Sequence, residues 1–435
     1  MLDIKYIRDN QEGIREAAKN KDIDLDLDKL LKLDEERRTM LKKIDELRQE
    51  RNELAQAGKS GKPTKDQIKT GKELKNKTAK LESELKQIEL DYNELLLSVP
   101  NIISKDTPIG PDESGNKVLR KCGEPTKFSF KPKDHMALGT LHGIIDTDKS
   151  AIISGSRFNY LFGEAVFLQF ALIQLVLETL TNKQIIKMLA QETNNPFDKP
   201  FTPVIPPVIA RAEIMKKMDR FDPIEDRYYF KDDDKLFIGS AEHTLGPLHM
   251  NEVIKTSDLP LRYVGYSTAF RREAGTYGKD TAGILRRHQF DKAEMETFIQ
   301  GEHGLVEQDF IIAIQEHLVK QLEIPYQVVI LCSGDMGRPD FRQIDIECWL
   351  PGQNKYRETH TSDYMTDFQA RRLNIKYQTA DNRREFVHMN DATAFAIGRM
   401  LIAILENYQQ VDGSIKIPKV LQPFMPNNIS VIGKK

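Results

Sequence analysis

Cysteine is scarce: Cys122, Cys332 and Cys348 are the only three in 435 residues. They are too few and too scattered for a disulfide framework, and a reducing cytoplasm suits them best. Neither CxxC nor HExxH occurs, so no zinc is expected. Charge of one sign is also lacking: 64 basic residues face 66 acidic ones, a net charge of −2. That excludes a wholly basic nucleic-acid coat but leaves room for a local basic surface. The longest apolar stretch, residues 161–180, is interrupted by Glu164, Gln169, Gln174 and Glu178. A membrane span needs about 20 mainly apolar residues, so this stretch reads as a core helix. The opening MLDIKYIRDNQEGIREAA carries four acids and no apolar centre, unlike a signal or transit peptide. A cytoplasmic chain with no membrane partner is the expectation. GxGxxG is absent, which removes the usual Rossmann evidence. The GKS at Gly58–Ser60 is no phosphate loop, because Glu53 stands where that motif needs glycine and no strand precedes it.

What is present is charge, 30% of the chain, concentrated before residue 100. Apolar residues recur there at Leu30, Leu33, Met40, Ile44, Leu47 and Leu54. A second run steps through Leu74, Thr78, Leu81, Leu85, Ile88, Tyr92, Leu95 and Val99. Steps of three, four or their sum make a coiled-coil seam. Gly58, Gly61 and Pro63 interrupt it and Pro100 closes it, which predicts an antiparallel hairpin reaching roughly 40–50 Å. Residues 51–80 hold nine Lys or Arg against three Asp or Glu. A solvated coiled-coil face explains such a run, but a basic arm tip also suits a nucleic-acid backbone. The candidate contacts are Arg51, Lys59, Lys62, Lys65, Lys69 and Lys72.

Residues 104–135, rich in Pro, Gly and charge, read as a linker and entry segment. Beyond it come apolar runs of strand character: FTPVIPPVIA, KLFIGSAE, LRYVGYSTAF, YQVVILCSGDM and RQIDIECWL. Helical runs cover Val166–Leu180, Glu307–Leu322 and Ala394–Tyr408. Without βαβ alternation, this predicts an α+β domain over 136–435, with a mostly antiparallel sheet flanked by helices. Arg271, Arg272, Glu273, Arg286 and Arg287 crowd one strand–loop–strand segment and suit either an anionic phosphate ligand or a salt-bridge network. Arg399 sits in an otherwise apolar helix, where it needs an acid or a phosphate.

Taken in order, these clusters resemble the signature motifs of class II aminoacyl-tRNA synthetases. Narrower segments resemble the seryl-tRNA synthetase family: LDEERR, PKDHMALG, ISGSRF, FRREAG, HQFDKAEM, LCSGDMG and TDFQARRLNIKY. The resemblance spans essentially the full length and makes residues 1–103 a tRNA-binding arm. It implies serine–tRNA ligation: ATP activates serine as an adenylate, and serine then passes to the end of tRNA(Ser), with tRNA(Sec) as a further candidate. It also implies a homodimer. Arg271, Arg272, Glu273, Arg286, Arg399 and the run Glu358, Thr359, His360 and Thr361 would then hold ATP. Arg271, Glu358 and Arg399 would be the catalytic set, and Glu358 and Thr361 would hold Mg²⁺. Ser240, Ala241, Glu242, Arg271, Glu294, Asp391 and Thr393 would bind serine, Glu294 accepting its hydroxyl.

The chain departs from the family pattern in places. Thr361 replaces a metal-proximal serine, Ser362–Met365 has no counterpart reading, and Asp391 stands where the family has asparagine. Thr181–Phe201 looks longer than usual and is expected to be a surface insertion. Two other functions compete: a carrier-protein amino-acid ligase and a catalytically silent tRNA-binding regulator. The arm and the absence of cysteine ligands oppose the first. Retention of Arg271, Glu273, Glu294, Glu358 and Arg399 opposes the second.

Overall fold

A computed structural model describes residues 1–57, 64–274 and 283–433. Lys59 and Lys62 lie outside the described residues. The chain divides into two compact units, Met1–Ile102 and Ile103–Lys435.

The first unit opens with two short helices that the sequence reading did not anticipate, α1 (Ile4–Asp9) and α2 (Gln11–Asn20). Asp3 caps α1 by accepting from the Lys5 and Tyr6 amides. Ile7 and Ile14 are fully buried, and Arg8 ties α1 to Asp34 at 2.7 Å. The long α3 (Leu27–Ala57) and α4 (Lys65–Ser98) follow. Pairs Arg37–Glu89 and Arg48–Glu82 fix them as antiparallel neighbours. The heptad seam holds, with Leu30, Ile44, Leu74, Thr78, Leu85 and Tyr92 buried. Thr64 and Gln67 form a reciprocal capping box at the start of α4, worth about 1 kcal/mol. Arg51, Lys65, Lys69 and Lys72 are exposed.

Among the described residues, the second unit is built on one large sheet. Its strands are β1 (Lys117–Cys122), β2 (Thr202–Val204), β3 (Leu261–Phe270), β4 (Gln289–Ile299), β5 (Tyr326–Ile330), β6 (Arg342–Leu350), β7 (Lys355–Tyr364) and β8 (His388–Ala396). Their spatial order is β1-β5-β6-β7-β8-β4-β3-β2. Every neighbouring pair is antiparallel except β2 with β3. Pro203 fits because β2 is an edge strand, where a missing N–H costs little.

The segment 104–135 is more than a linker, since it contributes β1, the opposite edge, paired with β5. Helices α5 (Glu164–Thr181), α6 (Lys183–Glu192), α7 (Gly304–Gln321) and α8 (Ile397–Asn407) share one core with the apolar sheet face. Ala293, Met295, Ile344 and Ile346 point into that core. Strand alternation therefore sends Glu294, Glu296 and Asp345 to the other face. α5 is long and apolar enough to cross a membrane, yet Leu168, Leu172, Leu175 and Val176 are buried in protein.

Two boundaries differ from expectation. Pairing of β8 with β4 keeps Ala394–Ala396 extended, so α8 starts at Ile397. Thr181–Phe201 is no mere surface insertion. Ile186, Leu189, Ala190 and Phe201 are buried in the core. Beneath this segment Arg262 and Glu307 form a fully buried double hydrogen bond, both arms 2.7 Å. Asn195 donates to Glu307 at 2.8 Å, and Arg262 donates to the Phe197 and Lys199 carbonyls.

Candidate active site

The polar sheet face, the turn after β3 and the start of α8 enclose a cavity of about 1320 Å³. Arg271 follows β3 directly; its Nε donates to the Gly239 carbonyl at 3.0 Å and its guanidinium lies over the Phe290 ring. Glu273 adopts φ 52°, a left-handed backbone rare for a side chain this long. Arg286 reaches its carboxylate at 3.3 Å. Arg287, mostly buried, has its pKa pushed down to about 10 by burial and then by Arg157. Arg272 is exposed and does not reach the cavity wall.

On the facing wall Arg399 occupies the first turn of α8 and meets Glu358 of β7, Nη1 to Oε1, at 2.7 Å. The expectation of a buried arginine needs correction. Its side chain is 23% exposed, because α8 begins at the cavity while its remaining turns enter the core. Burial raises the Glu358 pKa, but Arg399 outweighs it and holds the carboxyl below its ordinary value. Asp345 and Glu347 join Glu358 and Thr361 along the wall, because Asp345 pairs with Thr361 and Glu347 with Glu358 across β6 and β7. Burial and then Glu358 push Asp345 well up, and burial raises Glu347. The Thr361 hydroxyl donates to Asp345 at 2.9 Å.

His360 does not join this wall. The bulge at Thr359 turns it into the core, where Nδ1 meets the Thr359 hydroxyl at 2.8 Å and its ring packs on Phe395. Burial pushes its pKa down to about 3, so it carries no charge toward a phosphate at neutral pH. Thr359 lines the cavity, but its hydroxyl donates to the Ile346 carbonyl.

The third group lies deeper. Glu294 is fully buried, with Lys292 on one oxygen and the Ser240 hydroxyl and Glu242 amide on the other. Lys292 also donates to Ser240 at 3.1 Å. Glu242 lines the cavity and pairs with Arg220 at 2.5 Å. Asp391 and Thr393 line it too, whereas Ser240, Ala241 and Glu294 lie just behind the wall. Burial, then mutual repulsion with nearby acids, pushes Glu296, Asp363 and Asp391 well above the carboxylate range. Sequence reasoning passed over Arg220, Lys292, Asp345, Glu347 and Glu296. The Asp345-Ile-Glu347 alternation could have shown two acids on one strand face, whereas Arg220 sits in a segment without pattern.

An antiparallel sheet with one arginine leaving β3 and another opening the helix after β8, on the far side of β4, is the architecture of class II aminoacyl-tRNA synthetases. A model of the tRNA synthetase class II core domain (G, H, P, S and T) matches residues 228–408. A model of the seryl-tRNA synthetase N-terminal domain matches residues 1–103. The chain belongs to the seryl-tRNA synthetase family. It is 40% identical to the serine–tRNA ligase of Dictyoglomus turgidum over 98% of both chains. The crystal structure of seryl-tRNA synthetase from Pyrococcus horikoshii complexed with ATP is similar at TM-score 0.89 and 37% identity, covering 99% of both chains. That of the cytoplasmic serine–tRNA ligase from Naegleria fowleri in complex with AMP is similar at TM-score 0.84 and 29% identity, covering 99% and 98%.

Proposed function

We infer that the chain is an ATP-dependent serine–tRNA ligase. The observation that carries this reading is the pair of opposed cationic walls, Arg271 and Arg399, over a floor holding Glu242 and, just behind it, Glu294. A serine carboxylate oxygen attacks the α-phosphorus of ATP and pyrophosphate leaves. Arg271 takes the α-phosphate and serine carboxylate, Arg399 the γ-phosphate, and Glu273 the adenine side. No protein nucleophile is needed, because positioning and charge neutralisation supply the acceleration. Glu242 receives the α-ammonium by exchanging its Arg220 partner, while Glu294 and Thr393 hold the hydroxyl. The terminal ribose hydroxyl of tRNA(Ser) then attacks the acyl carbon and AMP leaves.

Glu358, Asp345, Glu347 and the Thr361 hydroxyl present hard oxygen donors on one wall. Such a donor set fits Mg²⁺ accompanying ATP. When bound, the ion neutralises phosphate charge. Glu358 and Thr361 would hold the ion, and Glu358 also holds Arg399.

The exposed Arg51, Lys65, Lys69 and Lys72 contact the tRNA backbone. The second unit exposes the large apolar side chains Ile152, Ile153, Phe170 and Ile205, and a homodimer that covers them is part of this reading. Three free thiols fit a cytoplasmic location. Serine-dependent ATP–pyrophosphate exchange, followed by charging of total tRNA, tests the reading. Absence of exchange refutes it, exchange without charging favours a carrier-protein ligase, and sequencing the charged species shows whether tRNA(Sec) is served.

A further inference from the structure

One register row of the sheet carries more acid than holding serine requires. Glu296 on β4 faces Asp391 on β8, and Asp391 in turn faces Asp363 on β7. All three are buried. Both Glu296 oxygens, Asp391 Oδ2 and Asp363 Oδ1 lack a hydrogen-bond partner. Arg220 stands 3.9 Å from Asp391 and is already engaged by Glu242 at 2.5 Å. The adjacent row differs, since both Glu294 oxygens have donors. Asp363 and Asp391 line the cavity, and Glu242, Glu294 and Asp391 bring oxygens within 4.8 Å of one another.

A serine hydroxyl offers one donor, which the Glu294 carboxylate absorbs. The row behind it would remain unmatched, and unpaired buried carboxyl oxygens are costly. An ammonium offers three donors, a positive charge and no acceptor, the complement of a row of carboxylates. It also fits the space of a hydroxyl on the same carbon.

We propose that this pocket also accepts an amino acid of serine's size bearing a β-ammonium in place of the hydroxyl, and converts it to its adenylate. The idea rests on the serine-activation reading for the rest of the site. The amino acid's carboxylate oxygen bonds to the α-phosphorus, the bond from that phosphorus to the bridging oxygen breaks, and pyrophosphate leaves with the electron pair. Asp363 and Asp391 hold the β-ammonium from the cavity wall, with the Glu296 carboxyl beneath them in the same register row.

The test is ATP–pyrophosphate exchange by the full chain with L-serine, L-2,3-diaminopropionate, L-alanine and L-2-aminobutyrate. Diaminopropionate should support exchange at least tenfold faster than either uncharged comparator. Asp363→Asn and Glu296→Gln should each lower the diaminopropionate-to-serine ratio of kcat/KM at least fivefold. Exchange with diaminopropionate no faster than with alanine overturns the proposal, as does a ratio unchanged in both variants. If neither variant folds, the wild-type comparison decides. Loss of serine exchange alone would instead overturn the serine-ligase reading, because diaminopropionate is measured separately.

Discussion

The Arg399 guanidinium sits 2.7 Å from the Glu358 carboxylate and also donates to the Glu358 carbonyl at 3.0 Å, joining the first turn of α8 to β7. Glu358 thus holds the cation at the cavity wall before a polyphosphate arrives. Arg399→Ala should lower serine-dependent exchange about 10²–10³-fold, the usual cost of losing one preorganised charge donor. Tm and tRNA binding should hardly move. Loss of tRNA binding in this variant would contradict its place in the ATP site.

Glu294 has a different kind of prediction attached, because its effect is read as selectivity. Glu294→Gln keeps the shape but weakens a hydrogen bond to a charged group, worth about 1.5–3 kcal/mol. The serine-to-alanine ratio of kcat/KM should narrow roughly 10–100-fold. An unchanged ratio would remove Glu294 from hydroxyl recognition.

His360 bears on acid stability. Burial depresses its pKa to about 3, against about 6.5 unfolded. The unfolded chain therefore binds the proton first. The stability this group contributes is full above pH 6.5 and declines as pH falls toward 3. Between pH 6.5 and 4.5 that loss is about 2–3 kcal/mol. His360→Gln should flatten this part of the profile in urea unfolding while leaving exchange at neutral pH nearly intact.

Arg262 and Glu307 make a stability test remote from the chemistry. Arg262→Met leaves a buried carboxylate that has lost its main partner and frees the Phe197 and Lys199 carbonyls. A loss of about 3–5 kcal/mol is expected. The double variant Arg262→Met, Glu307→Leu should be milder than the single, which thermal unfolding can check.

For the arm, changing Lys65, Lys69 and Lys72 together to glutamate should weaken tRNA binding and shallow its salt dependence. Exchange, which needs no tRNA, should stay within about twofold of wild type. Equal loss of both would contradict the role given to these lysines.

Much of this was legible in the sequence where period or charge density carries the information. The α3–α4 seam was readable because heptad spacing survives without tertiary context. FRREAG and Arg399 were readable because arginines near apolar strands demand a partner. His360 misled, since it stands two residues from Glu358 and simple alternation would keep both on one face, whereas the bulge at Thr359 turns His360 away. The acidic row was invisible for a related reason: Glu296, Asp363 and Asp391 lie far apart along the chain, and only register aligns them. Thr181–Phe201 read as a surface insertion because its anchor, Arg262 with Glu307, comes from elsewhere.

The strand Lys117–Cys122 follows the arm in sequence yet closes an edge of the catalytic sheet against β5. A shortened gene product begun at residue 136 would leave the β5 backbone amides and carbonyls along that rim open to solvent, a ready template for pairing with another chain. One begun at residue 104 would keep β1 as the edge, where the exposed Lys117, Arg120 and Lys121 discourage such pairing. The segment after the arm thus acts as a hem against self-association, and its removal would register first as aggregation.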